Sequence, residues 1–475
     1  MNMQQIRDVI DRDRDQLIAD IRELVAVPSV GGPAETGAPF GKGPRAALDK
    51  FVEIGKRLDF RTWAFDDQVG IAEMGDEDLP EMIAALCHVD VVPAGDGWTC
   101  DPWKGKIEDG MLYGRGVADD KGPAVSVLYA MKALRECGVK LNRRFRLIVG
   151  TNEELGSRAI EHYVKSGQEL PVMGFTPDAE YPLINGEKGI FTVRCRAPFK
   201  ADNGSVQVLS IEAGVAANAV PSSAVAVLKV APDAQPRLNR VLDDFAAPRD
   251  AKLTCEKIAD DQFRLTMEGL SFHGSTPQFG SNAAANLVKV LRLLGIGGEQ
   301  GAFFDTIDQT IGDQTRGENL GLMLYDDISG FTSLCWGLLK SEPDGRVMFS
   351  VNYRYPVTFD RDETLDRFVK ALRAHGFEFD VPTGGHPLYI PEDNPLVQKL
   401  MSVYRQETGD TDSKPFAIGG GTYAKEMPNM VAFGNAMPGE QTHIHELDER
   451  WSVDNIVRNT KIMAAAIAAL AGVKE

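Results

Sequence analysis

Helical and strand patterns alternate through the first 190 residues, and this alternation restricts the fold more than any other feature of the sequence. The segments GPRAALDKFVEIGKRLD and KGPAVSVLYAMKALRECG have the apolar spacing of helices. The segments EMIAALCHV and RFRLIVGT are short apolar runs, typical of buried strands. Because strands separated by helices favour a mostly parallel sheet that helices cover, we predict an α/β domain here.

The pattern changes near residue 191, where strands separated by turns begin to dominate, as in IFTVRCRAPF and VQVLSIEAG. Near residue 384 the chain returns to a helix, the apolar strand candidate MVAFGNAMP and an alanine-rich final helix. A chain of 475 residues is too long for one core. We therefore predict an α/β domain with a mixed, mostly parallel sheet, formed by residues 1–190 and 385–475 and interrupted by an inserted α+β domain at 191–384.

The charge and the cysteines exclude several classes of protein. Lysine plus arginine number 51 against 69 acidic residues, a net charge of −18 that argues against nucleic-acid or anionic-membrane partners. The first 30 residues carry charges throughout, so they predict an amphipathic helix rather than a signal peptide, and we expect a cytoplasmic protein. Six cysteines without a C-x-x-C pair predict reduced thiols, with neither a disulfide framework nor a cysteine zinc site.

Histidine and acidic residues recur where predicted strands end. His88 and Asp90 lie two apart at the end of an apolar run, so their side chains share one side of the strand. Ligand-binding groups of open α/β sheets gather beyond the carboxyl ends of strands. A single acidic pair is usually a solvated turn, but the repeated pattern predicts a site for Zn²⁺ or Mn²⁺. The other members of the pattern are Asp119, Asp120, Glu153, Glu154, Asp178, Glu180, His443 and His445.

The motifs HVDVVPAGDGW, GRGVADDKGP, TNEELGS, TPDAEYP and HIHELDE resemble the M20 family of di-zinc aminoacylases and peptidases. Within that family they are most similar to the PepV-like (Xaa-His/β-Ala) dipeptidase branch. The resemblance implies a zinc-peptidase-like catalytic domain interrupted by a lid domain. It also implies a hydrolase that cleaves dipeptides with two divalent ions, Zn²⁺ first and Mn²⁺ or Co²⁺ as alternatives.

The resemblance assigns roles to single residues. Glu153 would take a proton from the attacking water and pass it to the leaving amine. Asp90 would accept a hydrogen bond from a ligand imidazole. The peptide bond between Asp119 and Asp120 is typically cis in the family. The implied ligands are His88 and Asp178 for one ion, Glu154 and His445 for the other, and Asp119 for both.

Further roles fall on the lid and on a glycine run. By the same resemblance, His273 in LSFHGSTPQFGSNAA would donate a hydrogen bond to the oxyanion. Asn218 in EAGVAANAVPSS would bind the substrate backbone, although an asparagine there also suits a simple turn. Arg354 in SVNYRYP would hold the substrate carboxylate, because a guanidinium binds a carboxylate with two parallel hydrogen bonds. Backbone N–H groups of the run IGGGTYA could bind the same carboxylate, namely those of Gly420, Gly421 and Thr422.

Two alternative functions stay open at this point. A deacylase of N-acyl amino acids, of the acetylornithine or succinyl-diaminopimelate type, would use the same ligands. A catalytically silent peptide-binding homologue would be marked by loss of Glu153 or of a ligand, and each of these positions holds the expected residue type. The enlarged lid resembles two of the units through which shorter family members dimerise. We therefore expect a monomer whose partner is a small peptide substrate.

Overall fold

The computed structural model describes residues 2–248 and 250–473. None of the helices in these two ranges is both long and apolar enough to span a membrane. The α-helices of the described residues are α1 Met3–Arg12, α2 Arg14–Val25, α3 Lys42–Arg57, α4 Lys121–Glu136, α5 Arg158–Lys165, α6 Gln235–Asp244, α7 Ala283–Leu293, α8 Gly298–Thr310, α9 Arg361–Ala374, α10 Pro395–Thr408 and α11 Val453–Ala471.

The strands belong to four sheets, two large and two small. Several strands are only two or three residues long, and they lie where the chain turns between longer elements. The strands are β1 Arg61–Phe65, β2 Val69–Met74, β3 Met82–His88, β4 Lys106–Glu108, β5 Met111–Tyr113, β6 Arg144–Gly150, β7 Met173–Thr176, β8 Ile184–Glu187, β9 Gly189–Pro198, β10 Val206–Ala213, β11 Ser223–Val230, β12 Lys252–Ala259, β13 Gln262–Glu268, β14 Tyr325–Asp326, β15 Gly330–Phe331, β16 Ser333–Ser341, β17 Arg346–Tyr355, β18 Glu378–Phe379, β19 Leu388–Tyr389, β20 Phe416–Ile418, β21 Met430–Ala432 and β22 Arg450–Ser452.

The chain divides into two units. The first unit contains residues 2–185, 390–416 and 421–473, and the second contains residues 186–389 and 417–420. The sequence prediction placed the inserted domain at 191–384 and had no reason to include a short segment from the last third of the chain.

The large sheet of the first unit has the order β1-β2-β6-β3-β7-β21, with β8 next to β21. Strands β6, β3, β7 and β21 are parallel, whereas β1 and β2 are antiparallel to their neighbours. The sheet is therefore mixed, as the sequence predicts. Its antiparallel edge follows from the short turn between β1 and β2, because parallel strands need a long crossover connection. Strands β3 and β6 are buried along their whole lengths, and α4 and α11 pack against both.

Two elements of this unit differ from the sequence expectation. The single amphipathic helix predicted at the start of the chain is two helices, because α1 ends at Arg12 and α2 begins at Arg14. The apolar run MVAFGNAMP contains only the three residues of β21 as a strand. Gly434 follows with a φ of +88°, and a side chain there would meet the ring of Tyr181 at 2.6 Å. The backbone turns away from the sheet at this glycine, which ends the strand.

The second unit has an antiparallel sheet with the order β12-β13-β11-β10-β16-β17-β9-β18. Buried and exposed residues alternate along β9, so one face of the sheet carries the core. Helices α7, α8 and α9 add side chains such as Leu287, Phe304 and Phe368 to this core. The segments IFTVRCRAPF and VQVLSIEAG, which the sequence predicts as strands, contain β9 and β10. The side chains of β12 are almost all exposed, so its sequence lacks the alternation of a half-buried strand.

Candidate metal centre

The carboxyl ends of three neighbouring parallel strands carry predicted ligands in the first unit. His88 is the last residue of β3, Glu154 follows the end of β6, and Asp178 follows the end of β7. Asp119 lies two residues before α4, and His445 lies in the loop before β22. The fold brings together these five residues, which are far apart in the sequence.

The carboxylate of Asp119 lies between two imidazoles. Its Oδ1 is 2.9 Å from Nε2 of His88, and its Oδ2 is 3.0 Å from Nε2 of His445. Asp178 Oδ2 lies 3.4 Å from His88 Nε2, and Glu154 Oε2 lies 3.2 Å from His445 Nε2. Each oxygen of Asp119 therefore faces one histidine, and each of these two histidines also faces a second carboxylate. This is the arrangement that a bridging carboxylate needs to serve two ions.

The donor set fits divalent cations. Nε2 of the buried His88 makes no hydrogen bond to the described residues, although the Asp119 and Asp178 carboxylates lie within ion-pair distance. Ligand atoms of His88, Asp119 and Glu154 all lie within 4.8 Å of one another. Imidazole nitrogens and carboxylate oxygens are the ligands that Zn²⁺ and Mn²⁺ accept. Four such groups around the Asp119 carboxylate could hold two ions.

The electrostatics of the cluster show how much negative charge it concentrates. Burial raises the pKa of Asp178 and of Glu154, and the nearby charge of Asp119 raises both further. Burial also opposes ionisation of Asp119, but the nearby imidazoles of His445 and His88 hold the pKa of Asp119 below its usual range. Hydrogen bonds to Asp119 and Glu154 raise the pKa of His445 to about 11. Without metal, protonated imidazoles therefore supply the positive charge of the site.

Glu153 and Glu154 occupy a turn that the Asp90 carboxylate fixes. The backbone N–H of Glu153 donates to Oδ1 of Asp90 at 3.0 Å, and that of Glu154 donates to Oδ2 at 3.1 Å. Burial raises the pKa of Glu153 well above its usual range. A carboxylate with a raised pKa, next to a ligand in sequence, suits a general base.

The predicted partner of Asp90 differs from the one observed. His88 Nδ1 lies 2.9 Å from the backbone carbonyl oxygen of Asp90 and 3.6 Å from its carboxylate. The hydrogen bond that orients the imidazole is therefore made with the carbonyl, because the carboxylate is already occupied by the two glutamate N–H groups. Asp90 supports both a ligand and the candidate base, but through different atoms.

Three residues that the sequence analysis gave no role support the ligands. Asp120 Oδ2 accepts the backbone N–H of His88 at 3.0 Å. The ring of Tyr423 packs edge-on against the His88 imidazole, with 6.0 Å between ring centroids. Glu449 Oε1 accepts the backbone N–H of Asp119 at 3.2 Å. All three lie within the sequence motifs or the glycine run IGGGTYA, yet their partners are distant in sequence. The peptide bond between Asp119 and Asp120 is cis.

A second cluster lies in the second unit around Arg354 and His273. Arg354 Nη2 is 3.2 Å from His273 Nε2, and His273 Nδ1 is 2.7 Å from the hydroxyl of Ser275. Since a guanidinium can only donate, His273 accepts through Nε2 when this contact is made. The backbone N–H of Gly274 donates to the carbonyl of Asn218 at 2.6 Å, so Asn218 lies beside the His273 loop. The structure thus brings together His273, which was predicted to be catalytic, and two residues predicted to bind substrate, Asn218 and Arg354.

Arg354 is buried and held at three points. Its Nε donates to Asn352 Oδ1 at 2.8 Å, and its Nη1 donates to the carbonyl of Gly419 at 2.7 Å. Burial lowers the pKa of Arg354 to about 10, so the side chain stays charged near neutral pH. Asn352 donates in turn to Thr192 Oγ1 at 2.7 Å. The guanidinium is therefore oriented before any substrate arrives.

The glycine run IGGGTYA is divided between the two units. Gly420 is the last residue of the second unit, and Gly421 and Thr422 belong to the first. The hydroxyl of Thr422 accepts the backbone N–H of Ala424 at 3.1 Å, which caps a short helical turn. A side chain at Gly419 would meet Ser275 at 2.7 Å, so glycine is required there for the loop to approach the His273 loop.

Comparisons with known proteins agree with this architecture. The model of a family described as peptidase family M20/M25/M40 matches residues 84–469. A Bacillus subtilis (strain 168) protein named putative dipeptidase YtjP is 35% identical over 472 residues, covering 97% of this chain and 98% of that protein. The structure of human carnosine dipeptidase 1 has a TM-score of 0.59 at 17% identity and covers 99% of both chains. The di-peptidase Dug1p from Saccharomyces cerevisiae has a TM-score of 0.58 at 15% identity and covers 100% of this chain and 99% of its own.

Proposed function

This chain belongs to peptidase family M20/M25/M40, and we propose that it is a dinuclear metallo-dipeptidase that hydrolyses short unblocked peptides. The observation that carries the proposal is the position of Asp119 between two imidazoles, each of which also faces a second carboxylate. The family match and a relative named as a dipeptidase over nearly its whole length support the same activity.

Two divalent ions would be held on either side of Asp119. His88 and Asp178 would bind one ion, and His445 and Glu154 would bind the other. When bound, such ions lower the pKa of a water molecule and polarise the peptide carbonyl. Glu153, whose pKa is raised by burial, would take the proton of the attacking water and deliver it to the leaving amine.

Residues of the second unit would bind the substrate. Arg354 would bind the carboxylate of the peptide, since its guanidinium is charged, buried and already oriented. The backbone N–H groups of Gly420, Gly421 and Thr422 would add hydrogen bonds to the same carboxylate. When Arg354 Nη2 donates to that carboxylate, its contact with His273 Nε2 would be lost. His273 would then donate to the oxyanion of the tetrahedral intermediate, and Asn218 would bind the peptide backbone.

The experiment that tests this function is hydrolysis of a substrate panel by metal-stripped protein restored with Zn²⁺, Mn²⁺ or Co²⁺. The panel contains free dipeptides, a tripeptide, carnosine, acetylornithine and succinyl-diaminopimelate. We expect cleavage of dipeptides that returns only with metal, and the fastest ion identifies the preferred metal. Faster cleavage of the acylated amino acids than of dipeptides would indicate that the protein is a deacylase and not a dipeptidase. Bound metal without turnover of any amide would indicate a silent binding homologue.

Other expectations from the sequence stay predictions. These are a monomer in solution, a cytoplasmic location, and the absence of nucleic-acid and membrane partners. The division into a catalytic domain at 1–190 and 385–475 and a lid at 191–384 is likewise a proposal about the roles of the two units. Sedimentation velocity on the purified chain would test the monomer directly.

A further inference from the structure

Glu449 has an unusual environment for a carboxylate. Its side chain is 0% exposed, and it pairs with the guanidinium of Arg115, whose Nη1 lies 2.8 Å from Oε2. Its oxygens also accept the backbone N–H groups of Gly116 at 3.0 Å, Ala118 at 3.0 Å and Asp119 at 3.2 Å. A buried charge is tolerated only when it is paired and hydrogen-bonded, and here three backbone donors and one cation meet that requirement.

These bonds fix the segment that presents the bridging carboxylate. The segment contains Gly116, with a φ of +90°, and ends at Asp119. In each bond the backbone donates to Glu449, so the position of this one side chain determines the path of the segment. Glu449, which lies 330 positions later in the chain, therefore fixes the backbone that carries the Asp119 carboxylate.

The same pair also holds the segment that contains His445. Arg115 Nη2 donates to the carbonyl of Glu446 at 2.9 Å, and Glu449 is itself four residues after His445. The backbone N–H of Gly114 donates to the carbonyl of Glu449 at 3.0 Å. Arg115 and Glu449 thus join the Asp119 segment to the His445 segment, and we call these two residues the loop clamp.

The two histidines depend on the loop clamp to different degrees. His88 is 0% exposed at the end of β3, in register with β6, and Asp120 holds its backbone N–H. The side chain of His445 is 54% exposed, and its φ is +61°, in the left-handed region. No strand or helix contains His445, so its position depends on the bonds made by its own loop.

We propose that Glu449, through Arg115, is a positioning residue that sets the affinity of the ion site formed by Asp119, Glu154 and His445. The inference rests on the proposed two-ion centre. The alternative is that the loop clamp is an ordinary buried ion pair that contributes only to folding stability. The two cases differ in whether one ion site loses more affinity than the other.

The test is a titration of metal-free Glu449→Gln with Zn²⁺ and separately with Mn²⁺ by calorimetry. Glutamine keeps the shape but presents an N–H₂ group to Arg115 or to the backbone donors. We expect the weaker site, which we assign to His445 because that residue lies in a loop, to lose about 10- to 100-fold in affinity, the range for residues that orient metal ligands. The stronger site shares Asp119 but keeps the strand-held His88, so it should lose less. The peptidase activity of Glu449→Gln should return once the metal concentration is high enough to fill the weakened site.

The matched control is Glu73→Gln. Glu73 is another buried carboxylate of the first unit, and it pairs with Arg146 at 2.6 Å between Nε and Oε2. This change should lower the melting temperature and leave both metal affinities at the wild-type values. If Glu449→Gln fails to fold, the same titration is made with Arg115→Lys. A lysine keeps the positive charge but cannot donate to the Glu449 carboxylate and the Glu446 carbonyl at the same time.

Three results would overturn the inference. They are unchanged affinities at both sites in the folded variant, equal losses at both sites, and a wild-type protein that binds only one ion. A wild-type protein that binds two ions but cleaves no peptide would refute the proposed function alone. The affinity comparison would still decide the role of Glu449 in that case.

Discussion

The two halves of the proposed metal centre are built from different kinds of structure. On one side His88 ends a fully buried parallel strand, and Asp178 follows the neighbouring strand. On the other side His445 lies in a loop, with its side chain 54% exposed, and is held through the Arg115–Glu449 pair. Asp119 belongs to both halves. The sheet thus positions one half directly, whereas the other half depends on long-range bonds between loops.

This difference has a functional consequence. Ligands on strands are held more precisely than ligands on loops, so we expect the His88 half to bind its ion more tightly. The His445 half should bind its ion more weakly and exchange it faster. If the chemistry needs both ions, the occupancy of the loop half determines how much of the protein is active at a given metal concentration.

The largest predicted effect is the loss of kcat on changing Glu153, a carboxylate that is a ligand in neither half. Glu153→Gln should lower kcat by about 10²- to 10⁴-fold, because it removes only proton transfer. Both ions should stay bound, as measured by elemental analysis beside steady-state kinetics. Glu161→Gln, a change of a half-exposed glutamate on α5, is the control and should keep nearly full activity. Loss of an ion in Glu153→Gln would place that residue among the ligands.

A pair of variants compares the two halves directly. His88→Ala should destabilise the metal-free protein by about 1–3 kcal/mol, because the buried polar groups that face the imidazole in the wild type would lose their partner. His445→Ala should destabilise the metal-free protein less than His88→Ala, since about half of the His445 side chain is already exposed to solvent, although the side chains of its partners Asp119 and Glu154 are largely buried. Each variant should bind one ion fewer. Urea unfolding with metal analysis measures both quantities, and equal destabilisation would remove the distinction between the halves.

A smaller effect is expected in the pH dependence of the metal-free protein. The pKa of His445 rises from 6.5 to about 11 because its imidazole hydrogen-bonds to Asp119 and Glu154. A pKa that is higher in the folded state stabilises that state fully below the unfolded pKa, and the stabilisation is lost as pH rises through the folded pKa. The Tm of metal-free protein should therefore fall from neutral pH toward pH 11.

Two comparisons check this pH effect. His445→Ala should flatten the decline, and metal-loaded protein should show less of it, because a metal-bound imidazole is already deprotonated. Thermal unfolding followed by circular dichroism across this pH range is sufficient. A metal-free wild type with the same profile as His445→Ala would show that protonated His445 has no part in stability.

The sequence predicted the half of the site that contains His88 better than the half that contains His445. The run EMIAALCHV could be interpreted as a buried strand ending at His88, and the carboxyl ends of parallel strands then predicted where the acidic residues meet. The motifs also placed His445 by resemblance, and the structure brings it to Asp119. Periodicity reports which face of an element a residue occupies, but not which distant group it contacts.

For that reason the supporting bonds could not be predicted. Nothing local distinguishes Glu449 from any acidic residue of a surface loop, although it lies four residues after His445. The partner of the His88 imidazole was predicted to be the Asp90 carboxylate, whereas the nearer atom is the Asp90 carbonyl oxygen. Likewise, the contact between Arg354 and His273 joins segments 81 residues apart. Each of these bonds depends on tertiary packing.

The most direct test of the two-ion account is a crystal structure of the protein loaded with Zn²⁺ or Mn²⁺, with the ions located by anomalous diffraction. We predict two anomalous peaks, one on each side of Asp119, with His88 and Asp178 on the first ion and His445 and Glu154 on the second. The Glu153 carboxylate should coordinate neither ion. A single peak at saturating metal, or coordination by Glu153, would contradict the account.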